Sequence, residues 1–166
     1  MGAFVTTLHI GVDRTTVTRH ANETEVESKV LSIGSVRTAS DFFKHSPPTP
    51  QELENAIMAV EDEVSRARTL AASPAVLHTS DASIRGIALQ AGIAEGERMV
   101  LPIEAVETLF DLLAAFVMGR PASSAGIPTD SRFAATLLVL REFMHHLQFP
   151  AITIELGRRS LPSKDL

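Results

Sequence analysis

Ala3-Phe4-Val5-Thr6-Thr7-Leu8-His9-Ile10-Gly11-Val12-Asp13-Arg14-Thr15 is a strand-like run that breaks at a glycine turn, and the chain then resumes as a second such run, Thr15 to His20. A third extends from Glu25 to Val36, with Asn22 and Glu23 supplying the turn before it. Val, Thr and Ile are dense in all three, as suits a pleated, half-buried surface. Strands joined in sequence by short turns pair antiparallel, so residues 3–36 predict a three-stranded meander.

Outward from the meander the signals change period. Residues 44–50 hold Ser46-Pro47-Pro48-Thr49-Pro50, a connector of fixed shape, because proline lacks an amide donor and restricts the residue before it. Thr49-Pro50-Gln51-Glu52 then has the form of a capping box with proline at the first helical position. Leu53, Ala56, Ile57, Val60, Val64 and Ala67 follow at helical spacing. Ala75-Val76-Leu77-His78 predicts a buried strand, and Thr79, Ser80 or Asp81 a cap for a helix from Ala82 to about Gln90. Gly92 to Gly96 breaks the chain. Pro102 opens a helix through Val117, Thr129 or Asp130 caps a long helix ending near Gln148, and Ala151 to Leu156 closes as a strand before a polar tail, 157–166.

The order is meander, helix, strand, helix, inserted helix, helix, strand. It predicts an α/β fold, a ribonuclease-H-like domain of the kind duplicated in actin-like ATPases, with a mixed five-stranded sheet and flanking helices. At 166 residues one domain over 1–166 is expected, with a helix and strand portion at 50–156. A net charge of −5 with scattered basic residues disfavours nucleic acid. No run approaches the roughly 20 apolar residues of a membrane span. The chain has no cysteine, which removes disulfides and thiolate chemistry and fits a cytoplasmic protein.

Three segments resemble the second domain of the exopolyphosphatase and guanosine-pentaphosphatase family. One is Leu31-Ser32-Ile33-Gly34-Ser35-Val36-Arg37-Thr38 followed by Pro47-Pro48-Thr49-Pro50-Gln51-Glu52-Leu53; the second is Leu101-Pro102-Ile103-Glu104 leading to Ile127-Pro128-Thr129-Asp130; the third is Ile152-Thr153-Ile154. The resemblance implies an actin-like fold and, in intact enzymes, a phosphate chain closed between two domains. This chain opens on Met1 and shows no counterpart of the domain that carries the catalytic carboxylate, which implies a stand-alone relative.

The departures bear on function. Where the family carries D-I-G-G-G-S-T to let backbone amides approach phosphate, this sequence has His9-Ile10-Gly11-Val12-Asp13-Arg14-Thr15; only Gly11 and Thr15 match beyond the isoleucine. A carboxylate at Asp13 repels phosphate unless Arg14 compensates. The family's G-G-T loop aligns with His78-Thr79-Ser80, which keeps a hydroxyl and lacks both glycines. A small residue of the late helix falls near Leu138, the arginine at its start appears as Ser131 beside Arg132, and Gly157-Arg158-Arg159 keeps the flavour of the closing motif.

The resemblance thus implies Gly11, Asp13, Arg14, Thr15, His78, Thr79, Ser80 and Arg159 as candidate ligand-binding positions, with no catalytic residue, no metal and no cofactor. His9 and His78 are expected near each other at strand ends. His145 and His146 point about 100° apart on a helix and are read as a favourable helix-end pair, since metal ligands prefer positions i and i+4. Asp13 and Asp81 lack a nucleophile and are read as turn or cap residues, and Ser123-Ser124 lacks a G-x-S-x-G elbow. The expected function is that of a non-catalytic interaction or regulatory module that self-associates. A polyphosphate or guanosine-phosphate binder, or a phosphatase half completed by another chain, is the alternative. The expected partners are a second copy or another protein.

Overall fold

Alternating burial along β1 (Phe4–Ile10) and β2 (Thr15–Ala21) puts Thr6, Leu8, Ile10, Thr15 and Val17 on one buried face of a sheet. The computed structural model describes residues 4–71 and 75–156. The tail 157–166, including Arg159, lies outside the described residues. Asn22 and Glu23 both take positive φ, 50° and 65°, in the two-residue turn that joins β2 to β3 (Thr24–Leu31), a geometry that matches strand twist.

β3 stops at Leu31 rather than Val36. The chain turns under the β1–β2 loop, where Ser35 N donates to Gly11 O at 2.9 Å and Val36 N to Val12 O at 3.0 Å. A short helix α1 (Arg37–Phe42) follows, which the sequence pattern did not signal. Gly34 permits this path: a Cβ there would lie 2.5 Å from Val12 O.

Helix α2 (Pro50–Ser65) begins with the expected capping box. Thr49 Oγ1 accepts from Glu52 N at 3.1 Å, and Glu52 Oε1 accepts from Thr49 N at 2.9 Å. After a short 3₁₀ turn come β4 (Ala75–Thr79) and α3 (Ala82–Gln90). The segment Arg98–Pro102 is a further strand, β5, so the sheet has six strands rather than five. Its alternation spans only five residues and ends on the proline that precedes α4 (Ile103–Val117). The long helix α5 (Ser131–His146) is capped by Asp130, which accepts from Phe133 N at 2.9 Å, and the last strand is β6 (Ala151–Glu155).

The strand order is β3-β2-β1-β4-β6-β5. β1 pairs in parallel with β4 and β4 with β6, whereas β2, β3 and β5 run antiparallel to their neighbours. α5 packs against α1, α2, α3 and α4, so the helices form one layer over one face. Every residue of α5 from Ala134 to Leu140 is buried, the pattern of a helix enclosed on all sides. Its Phe143 stacks on Phe149 with ring centroids 5.8 Å apart. The face meeting this layer also includes Leu31, Leu77, Met99, Leu101, Ile152 and Ile154. The opposite face carries Thr7, Thr16, Thr18, Val76, His78, Val100 and Thr153, and among the described residues no helix covers it.

Candidate functional site

Parallel pairing of β1 with β4 brings their carboxyl ends to one edge, where open α/β sheets place ligands. The turns Gly11–Thr15 and Ser80–Asp81 meet there, joined by Asp81. This side chain is 7% exposed and stands at the cap position of α3, but it makes no bond to the helix amides. It reaches across to β1 instead. Oδ2 accepts from Ile10 N at 2.7 Å and Oδ1 lies 2.6 Å from His9 Nδ1, while Asp81 N donates to Thr79 Oγ1 at 3.1 Å.

An anion is therefore built into the turn. A phosphate-binding loop offers free amides to its ligand, whereas here the Ile10 amide is taken by Asp81. Gly11 N donates to Arg14 O at 2.9 Å, and Gly11 O is taken by Ser35 N. Gly11 is required by crowding, because a Cβ would lie 2.7 Å from Arg14 O. Thr15 is buried and its hydroxyl donates to Ile33 O at 2.9 Å, tying β2 to the end of β3.

Asp13, Arg14 and Ser80 are exposed. Thr79 is buried and spent on Asp81 N. His78 stands opposite Thr7 with Nδ1 3.9 Å from Glu155 Oε1, on the same sheet face as His9 two residues further along β1, whose ring pairs with Asp81. Arg159 falls outside the described residues. Asp81 was legible as a cap or turn residue, but its bond to a strand 71 positions earlier carries no local signal.

Beside this turn is an open depression of about 390 Å³, lined by Ser35, Ser83, Asp130, Arg132 and Thr136 among others. It lies between the amino ends of α3 and α5. Asp130 is engaged in capping α5, and Leu138, at the family's small position, is fully buried in the core.

The fold defines the class first: a meander joined to parallel strands under a helical layer is the ribonuclease-H-like domain of actin-like ATPases. No protein-family profile and no curated protein sequence matches the chain. Among solved structures it is similar to the Ppx/GppA enzyme of Aquifex aeolicus, with a TM-score of 0.73 and 17% identity over 93% of this chain and 54% of that one. An exopolyphosphatase from Cytophaga hutchinsonii matches with a TM-score of 0.70 and 13% identity over 93% of this chain and 53% of that one. The chain has the fold of a Ppx/GppA exopolyphosphatase domain and spans just over half the length of these proteins.

Proposed function

We propose that this chain is a non-catalytic module of exopolyphosphatase descent that works by self-association. The observation that carries the reading is the Asp81 carboxylate, held 2.7 Å from Ile10 N. Like charges in a weakly solvated turn repel, so a phosphate oxygen arriving at the same amide meets an anion already in place. The helix-free sheet face supports the second half of the reading. Val76 and Val100 are 45% and 49% exposed there, and the row ends in Arg98 opposite Glu155. A row edged by one basic and one acidic group can meet its own copy under two-fold symmetry, the commonest arrangement of homo-oligomers.

The catalytic half of the proposal is tested by incubating the full chain with polyphosphate and a divalent cation and measuring released phosphate. None above the buffer blank is expected; release that saturates with substrate contradicts the reading.

A second reading rests on the 390 Å³ depression, where Ser35, Ser83 and Arg132 converge beside two helix amino ends. It makes the chain a binder of a phosphate ester such as a guanosine phosphate, without hydrolysis or as a half-site completed by another chain. Arg132→Ala and Arg14→Ala distinguish the groove from the closed turn, since the groove requires that Arg132 matter and Arg14 not.

A further inference from the structure

At the carboxyl ends of α2 and α5 a second polar cluster is buried, away from the β1–β4 turn. Glu142 is 0% exposed. Its Oε1 accepts from Arg141 Nη1 at 2.6 Å, which settles one oxygen. Its Oε2 has no hydrogen-bond partner among the described residues, and the same holds for the buried Nε2 of His146. These two orphans lie 2.9 Å apart, and Nε2 is also 3.1 Å from Glu61 Oε1. The imidazole nitrogen is thus nearly equidistant from two carboxylate oxygens, and completes a hydrogen bond with neither.

We propose that Glu61, Glu142 and His146 form a binding site for one divalent transition cation of the zinc class. Imidazole with two carboxylates is a donor set such ions accept, and Glu142 and His146 stand at i and i+4, the helical spacing that puts two donors on one face. Bonds of about 2.0–2.2 Å to a tetrahedral ion place adjacent donors about 3.3–3.6 Å apart. The two separations at Nε2, 2.9 and 3.1 Å, are shorter than that edge, so the donors must spread slightly to admit the ion. The three donor atoms lie within 4.8 Å of one another, and the Glu61 side chain, 41% exposed, is free to close the remaining gap. Three protein donors leave a fourth position for water. A lone pair from each donor directed at one ion satisfies both orphaned atoms together, whereas in the present geometry neither atom completes a hydrogen bond. Bound there, the ion ties α2 to α5.

The competing use of the cluster is a protonated His146 bridging the two carboxylates, and calorimetry separates the two. The chain, stripped with chelator, is titrated with zinc chloride, and its melting temperature is followed with and without the ion. One saturable zinc per chain and a raised melting temperature are expected, with both lost in Glu61→Gln and in His146→Gln and both kept in His145→Ala. Glu61 is on the accessible rim, so its variant tests the site without emptying the core, and circular dichroism verifies the fold of each variant. Absence of saturable heat overturns the proposal. So does stoichiometric binding that survives in both Glu61→Gln and His146→Gln.

Discussion

At this strand edge Asp81 satisfies the Ile10 amide. Removing the carboxylate leaves a buried donor without a partner, so Asp81→Ala is expected to cost about 1–3 kcal/mol in urea unfolding. The His9 ring is 63% exposed, and pairs in that setting contribute about 0–1 kcal/mol, so His9→Ala should cost less than Asp81→Ala. Equal losses in the two variants would mean that the ion pair, and not the amide, is what the carboxylate serves. Gly11 illustrates how a sequence position can be legible while its reason is not. Glycine at that point suggests close approach of phosphate, and the structure shows close approach of Arg14 O and Ser35 N. Local spacing cannot reveal that Ser35 returns beneath the turn, since the contact depends on where β3 ends.

Among the elements, α2 was the most legible because its signals are local. The capping box, the proline at the first position and the apolar spacing are all set within a few residues of Thr49. The same box gives the clearest pH dependence. Donation from the Thr49 amide, against the opposing effect of burial and with further help from the Lys44 amide and His45, lowers the Glu52 pKa to about 2 from an ordinary 4.5. A lowered carboxylate pKa stabilises the fold above the unfolded value and ceases to do so as pH falls through the folded one. Glu52→Gln should therefore lower the melting temperature at pH 6 and converge on the parent protein as pH falls from about 4.5 toward 2. A difference that stays constant over that window would remove the ionised cap as its cause. β5 was less legible: Arg98–Pro102 offers only Met99 and Leu101 as inward positions, and Pro102 reads equally well as a helix start. Its strand character comes from pairing with β6, including Leu156 N to Glu97 O at 3.2 Å. The i, i+4 relation of Glu142 to His146 is present in the sequence, whereas the approach of Glu61 from α2 carries no local signal.

At the scale of the whole molecule, the meander and the order of helices foretold the sheet, because hydrophobic period and turn chemistry fix element type and sequence. The single-sided helical layer was not foretold, since strand periodicity does not say which face a later helix will cover. That layer leaves the Val76 and Val100 face without helical cover among the described residues. If a second copy covers it, sedimentation equilibrium of the parent protein should give a dimer, and the Val76→Glu, Val100→Glu double variant a folded monomer. A parent protein that remains monomeric at high concentration contradicts self-association, and a dimer unaffected by both substitutions places the contact elsewhere.

The most direct test concerns the closed turn. Calorimetric titration of the full chain with polyphosphate, repeated with guanosine tetraphosphate, asks whether the β1–β4 edge still receives an anion. The bond from Ile10 N to Asp81 predicts no saturable heat from either ligand in the parent protein. Saturable binding that Arg14→Ala weakens and Arg132→Ala leaves intact would place the anion at this turn and contradict the claim that Asp81 has closed it.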